Sequence, residues 1–359
     1  MRHLTRLLLA GAALAAGAAA AGAQTPAVPP GPKIKMTVVT QPGPALPQYT
    51  NVDVPLLKEG IPKASGGRIE VDLASWPERN LNGPEIIRLV RSGNVDIGAA
   101  PLATVSGDVP FLDMADLAGM NPTIEQARRV ADALVPEANK ALERFNTRIV
   151  ATYPFAAQVL FCRQPVASLA DVKGKKVRTF GGSSNDLVAA VGAQPVGLGF
   201  PEVYGALERG VVDCAITGTS SGNGARWYEV SKGLYALPVA WSVAAYYVNT
   251  SWWNKLDPGV RAFLEGTMRD VETAQWDLGA RTTEDGIACN SGDKANCRIG
   301  RIVETNPMTV VRPTPGDLET LRKTFGEVVL PAFVKRCGAA CGDQYNRIVA
   351  PITGIRFGG

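Results

Sequence analysis

Residues 168–217 constrain the fold of this chain more than any other stretch. They read SLADVKGKKVRTFGGSSNDLVAAVGAQPVGLGFPEVYGALERGVVDCAIT. The turn Val172-Lys173-Gly174 leads into a short apolar strand over 176–180. A helix is expected next, with Ser183 or Ser184 as N-cap and Leu187, Val188 and Val191 on one face. A strand over 194–198, a helix over 201–209 and a strand over 211–216 complete a β-α-β-α-β unit. Such a unit makes a parallel sheet whose ligand side is at the C-terminal ends of the strands. Arg178 stands at that end of the first strand.

The first part of the chain has the same cadence. Residues 34–39 alternate as a strand, a helix lies within 49–64 around Pro55 and Pro62, and 68–73 form a second strand after Gly66-Gly67. Asn82 reads as the N-cap of a helix with Ile86, Ile87, Leu89 and Val90 on its apolar face. That helix runs into Gly93-Asn-Val-Asp96, and the later unit has Gly210-Val-Val-Asp213 at the equivalent point. Both read helix, Gly cap, Val-Asp, strand, which suggests two similarly wound lobes. Asp96 and Asp213 read as turn chemistry at strand starts, with paired catalytic carboxylates as the lesser alternative. A long amphipathic helix is expected over 123–145. Strands 148–152 and 158–162 should carry the chain into the second lobe, and 239–248 should carry it back. A helix over 258–286, a strand over 308–311 and a helix over 315–335 follow.

The N-terminus sets the address. Met1-Arg2-His3-Leu4-Thr5-Arg6 precedes an Ala/Leu run that ends in Ala21-Gly22-Ala23, which reads as a secretory signal peptide over 1–23 and therefore export. Residues 24–32 form a Pro-rich leader expected to be disordered. Loss of Arg2 and Arg6 lowers the net charge from +4 to +2. With no basic run, nucleic acid is not an expected partner. The single histidine, His3, leaves with the signal, which removes histidine general-base chemistry and most zinc designs.

Four linked motifs carry a family resemblance: Asp171-Val-Lys-Gly-Lys-Lys-Val-Arg178, Gly192-Ala-Gln-Pro-Val, Phe200-Pro-Glu-Val-Tyr-Gly-Ala-Leu207 and Gly210-Val-Val-Asp213. Together they resemble the solute-binding proteins of TRAP (tripartite ATP-independent periplasmic) transporters, the DctP family, over about residues 33–337. The resemblance implies an α/β, two-lobed periplasmic binding protein, type II-like, with hinge strands and a long helix spanning both lobes. Lobe I would comprise 33–155 plus 243–282, and lobe II 156–242 plus 283–359. It also implies a non-enzymatic receptor that carries a small organic carboxylate to the small and large membrane subunits of a permease driven by an ion gradient. In agreement, the chain has no G-x-x-x-x-G-K-[ST] motif. A secreted histidine-free enzyme and a sensor for a signalling receptor are the alternatives. No cofactor is expected.

In that family the arginine at the position of Arg178 clamps the substrate carboxylate, which suits a planar fork of charge-assisted donors. A structural ion pair is the other reading. The chain departs from the family at Cys214-Ala215-Ile216-Thr217, where Thr217 replaces a carboxylate-helping asparagine, and at Thr179-Phe180, where a proline is usual. Gln158 stands where sialic-acid-binding members carry another arginine, so that ligand is not expected. Phe180 and Phe200 follow strand ends and read as cavity lining or as core. Pro101 and Thr104, within 98–104, should face them from lobe I, with Trp227 and Trp241 closing the side. These surfaces favour an apolar or aromatic body over a sugar, and so a small organic monocarboxylate such as a 2-oxo, 2-hydroxy or aromatic acid. A dicarboxylate is the alternative, and it would need a second cation. Gly218-Thr-Ser-Ser-Gly222 matches a nucleophile elbow, but it reads as a coincidental loop without a base.

Export places the six cysteines in an oxidising compartment. Cys289 and Cys297 bracket a loop and Cys337 and Cys341 a short turn, so two local disulfides are expected. Cys162 and Cys214 are a third pair or free thiols, and a four-cysteine metal site is the rival reading.

Overall fold

The computed structural model describes residues 26–358. Its strands are β1 (Ile34–Thr40), β2 (Ile69–Ser75), β3 (Ile97–Pro101), β4 (Thr147–Tyr153), β5 (Gln158–Cys162), β6 (Lys176–Thr179), β7 (Gln194–Gly197), β8 (Cys214–Gly218), β9 (Gly233–Ala240), β10 (Ala244–Asn249) and β11 (Thr309–Val311). They form two sheets, ordered β2-β1-β3-β10-β4 and β11-β9-β5-β8-β6-β7. In the first, β1 runs parallel to β2 and β3, and β10 runs antiparallel to β3 and β4. In the second, β6 runs parallel to β7 and β8, and β5 runs antiparallel to β8 and β9. Each parallel trio is therefore followed by an antiparallel strand that has just crossed from the other sheet. Residues 154–157 make one crossing and 241–243 the other.

The echo between the halves is real in atomic terms. Gly93 and Gly210 end their helices at φ of 76° and 69°, a conformation that glycine adopts without a Cβ clash. Three residues later Asp96 accepts a hydrogen bond from Thr37 N at 2.8 Å, and Asp213 accepts one from Lys176 N at 2.9 Å. Each carboxylate thus pins the start of the neighbouring parallel strand, which is a structural role.

The helix Ile124–Leu142 buries Ala127, Val130, Ala131, Leu134 and Leu142 as its periodicity predicts, and Thr123 caps it. The 34-residue helix Pro258–Ser291 spans both sheets. Its first half places Val260, Phe263, Leu264, Met268 and Val271 in the core of the first sheet. Farther along, Thr219 Oγ1 donates to the carbonyls of Thr282 and Thr283 at 3.2 and 2.9 Å. Gly286 lets this helix touch the helix Thr219–Gly224, because a Cβ there would lie 2.5 Å from Ser220 N. The tail continues through Pro315–Thr324, a wide turn over Phe325–Val329 and Leu330–Cys337, and packs on the helices Ile124–Leu142 and Gly182–Ala190.

Several local expectations change. Asn82 caps nothing: the helix is Ile86–Ser92, and the Glu85 carboxylate accepts from Asn82 N and Gly83 N. The N-cap of Gly182–Ala190 is Gly181, because Ser184 sits at the third helical position and Ser183 bonds Asp113. A helix, Thr219–Gly224, does follow Gly218, so the nucleophile-elbow match has the strand–helix setting that the sequence seemed to deny. The leader is packed where it is described: Val28 joins the first core, and Arg68 donates to the carbonyls of Pro29 and Pro32. The expected signal peptide lies outside the described residues.

All six cysteines are paired, as Cys162–Cys214, Cys289–Cys297 and Cys337–Cys341. Cys162 and Cys214 stand directly opposite one another on β5 and β8. The free-thiol and four-cysteine readings are set aside by this pairing.

Candidate functional site

Both parallel trios direct their C-terminal ends at the space between the lobes, where loops gather. A cavity of about 270 Å³ lies there. The first lobe contributes Pro42 after β1, Trp76 after β2, Asn82, Pro84, Pro101 and Thr104. The crossings contribute Phe155 and Ser242. The second lobe contributes Gln158, Arg178, Thr179, Phe180, Asn185, Leu198, Phe200, Thr217 and Ser221. That is a volume suited to a small organic molecule. The lobes meet at its rim. A Cβ on Gly181 would lie 2.9 Å from Ala103 Cβ, and one on Gly199 would lie 3.0 Å from Asn82 Cβ.

Arg178 is the charge of the cavity. Its residue is 4% exposed. Nε donates to Leu198 O at 3.0 Å and Nη1 to Ile216 O at 2.7 Å. The guanidinium carbon lies 5.6 Å from the centre of the Phe180 ring. A guanidinium has five N–H donors, so three remain. No acid among the described residues forms an ion pair with it, and no acidic residue is among those lining the cavity. Burial pulls its pKa down to about 9, and the more distant Glu202 charge opposes this. The side chain remains a cation at neutral pH. A buried cation without a counter-charge is costly, and an anion in the cavity would remove most of that cost.

The polar groups around it are oriented by the scaffold. Thr179 Oγ1 donates to Asn185 Oδ1, which leaves the Asn185 amide N–H groups for the cavity. Gln158 Nε2 donates to Ala156 O at 2.9 Å. Thr217 is buried at the end of β8. The hydroxyl of Ser221 is buried without any partner.

Seven of the expected site residues line this one cavity: Arg178, Thr217, Phe200, Phe180, Gln158, Pro101 and Thr104. Trp241 does not. Its indole Nε1 donates to Asn121 O at 3.0 Å, on the far side of the crossing. One residue later Ser242, with φ of 49°, turns the backbone so that this residue meets the cavity instead. Trp227 also lies off the lining. It is fully buried behind Phe200, with ring centres 5.2 Å apart and planes inclined by 26°. Trp76, Asn82, Phe155, Asn185, Ser221 and Ser242 were not singled out as lining. Trp76 and Asn185 could have been found, since each follows the C-terminal end of a parallel strand.

The fold and cavity define a two-lobed α/β binding protein with an unpaired cation enclosed between its lobes. Residues 40–334 match the bacterial extracellular solute-binding proteins, family 7, and the chain belongs to that family. It is 27% identical over 215 residues to the 2,3-diketo-L-gulonate-binding periplasmic protein of Escherichia coli K12, a match spanning 59% of this chain and 66% of that one, so slightly less than two thirds of the relative. A Bordetella pertussis extracytoplasmic solute receptor binding pyroglutamic acid superposes with a TM-score of 0.73 at 21% identity, covering 86% of this chain and 97% of the receptor. A TRAP solute-binding protein of Desulfovibrio salexigens with bound orotic acid superposes with a TM-score of 0.76 at 19% identity, covering 89% and 100%. The family's members are transport receptors for solutes, among them small acids.

Proposed function

We propose that this chain is the periplasmic receptor of a TRAP-type system. It captures a small organic monocarboxylate between its lobes and delivers it to the small and large membrane subunits of a permease. The observation that carries this reading is the buried, acid-free Arg178 lining the cavity. Its three unused donors match a carboxylate accepting two parallel hydrogen bonds. The walls support one charge with an apolar or planar body: Trp76, Phe155, Phe180, Leu198 and Phe200 surround the space. A dicarboxylate is disfavoured because Arg178 is the one cation among the lining residues. Ligand closure would follow from the ligand binding the closed arrangement more tightly than the open one.

Calorimetry with pyroglutamate and orotate tests the reading. Arg178→Ala should abolish binding, and Arg178→Lys should weaken it at least tenfold, because Lys lacks the fork. Binding by the Ala variant within a few-fold of the unaltered protein, or a dicarboxylate recovered as the stoichiometric ligand of the purified protein, would overturn it.

A further inference from the structure

Ser221 is a polar group that the carboxylate anchor leaves unused. Its residue is 3% exposed, it lines the cavity, and its hydroxyl has no hydrogen-bond partner. Burying a hydroxyl unpaired is unfavourable, so the cavity holds a polar group that an occupant can satisfy. Gln158 lies beside it. A Cβ placed on Gly218 would be 3.0 Å from Ser221 Oγ and 3.1 Å from Gln158 Nε2. The missing side chain at 218 therefore leaves room for both groups against β8. The Gln158 residue is 4% exposed, and its bond to Ala156 O fixes the amide while leaving one N–H and the carbonyl oxygen. The pair offers donors and acceptors but no charge.

Its separation from Arg178 follows from β8. The guanidinium bonds Ile216 O, and the Ser221–Gln158 pair gathers at Gly218, two residues farther along. At about 3.3 Å per residue the two backbone anchors are roughly 7 Å apart along the strand, a spacing on the scale of a small ring.

We propose that Ser221, with the Gln158 amide, is the specificity pole of the site, holding a neutral hydrogen-bonding substituent at the end of the acid away from its carboxylate. A lactam, a ring carbonyl with its N–H, or a hydroxyl has this chemistry. The inference rests on the carboxylate reading of Arg178 and deepens it. A second carboxylate at this pole would be buried without a cation. A purely apolar end would leave the Ser221 hydroxyl unpaired. The site therefore selects lactam and hydroxy acids over diacids and over plain aromatic acids.

Calorimetry on the purified exported protein with pyroglutamate, orotate, benzoate and succinate tests this. Pyroglutamate or orotate should bind at least tenfold tighter than benzoate and succinate. Ser221→Ala should weaken that ring acid about tenfold, and Ser221→Thr, which keeps the hydroxyl, should stay within about threefold. Far-ultraviolet circular dichroism of each variant separates lost folding from lost binding. An unchanged affinity in Ser221→Ala, equal losses in the Ala and Thr variants, tighter binding of benzoate or succinate, or no binding of either ring acid would each overturn the specificity pole. Arg178→Ala distinguishes the two levels. If it abolishes binding while Ser221→Ala changes nothing, only the pole fails. If it leaves acid binding intact, the carboxylate reading fails.

Discussion

At the cavity the first lobe presents Trp76, Pro84 and Pro101, while the second presents Arg178 and most of the polar groups. Yet the lobes share a strand order, and Asp96 and Asp213 do the same work in each. The winding is common property; the charge belongs to one side. This division suits a receptor that first holds an anion on one lobe and then covers it with the apolar surface of the other. The interiors differ as well. Beneath the first sheet the buried Asp53 carboxylate accepts from Thr40 Oγ1, Gln41 Nε2, Tyr246 OH and Gln275 Nε2, joining β1, β10 and the long helix. The second sheet has a covalent tie between neighbouring strands instead, Cys162–Cys214 on β5 and β8. One lobe is stitched by a polar hub and the other by a disulfide.

Breaking each stitch measures the contrast. Asp53→Ala should have the largest effect, because it leaves the buried donors of Thr40, Gln41 and Tyr246 without an acceptor, while Gln275 keeps Gln48 O. We expect a loss above about 4 kcal/mol, or failure to fold, by urea titration. A loss below about 1 kcal/mol would show that the hub does not hold the first lobe. Replacing Cys162 and Cys214 together by Ala opens a link across 52 residues. This should cost about 2–4 kcal/mol, with Arg178-dependent binding retained where the protein is folded. Equal transitions for this variant and the unaltered protein would remove the disulfide from the account.

Much of the second lobe was legible in its periodicity. Apolar runs, Gly-containing helix ends and Pro201 at a helix start between 168 and 217 dictate the β-α units, and the C-terminal-end rule then points to Arg178. What remained illegible depended on contacts distant in the chain. Asn82 obeys the composition of an N-cap, but the helix begins only at Ile86, and Asn82, tied through its backbone N–H to the Glu85 carboxylate, lines the cavity instead. Trp241 sits at a strand end with nothing local to say which side it faces; the turn at Ser242 decides. Ser221 is hidden in a Gly-Ser-rich stretch that reads as a loop, and its isolation is visible only once Gly218 and Gln158 surround it. The leader reads as too Pro-rich to order, yet Arg68 supplies donors to the carbonyls of Pro29 and Pro32.

The crossing between the lobes offers the finest test of the contrast. Asp116 is buried there and accepts from Trp241 N at 2.7 Å and Val243 N at 3.4 Å through one oxygen, and from Asn121 Nδ2 at 3.1 Å through the other. Burial pushes its pKa up to about 6 despite these bonds. Burial does the same to Asp53, and to Asp113, where the nearby Arg336 opposes it. A folded-state pKa above the unfolded value of 3.8 means that the native state binds the proton more tightly. The associated stability is complete below the unfolded pKa and is lost as pH rises through about 6. Acids with depressed values, such as Glu78 and Glu137, act in the opposite direction, but only as pH falls below their unfolded value of 4.5. Between about pH 6.5 and about pH 5 the buried aspartates therefore dominate. The melting temperature should rise by a few degrees on acidification across that window, and Asp116→Asn should reduce the rise without abolishing it, since Asp53 and Asp113 remain. The slope against pH is the readout, because the amide also disturbs the Asn121 contact and lowers stability at every pH. A melting temperature that is flat or falls on acidification would show that these carboxylates gain no proton on folding, and an unchanged slope in Asp116→Asn would remove the crossing from the effect.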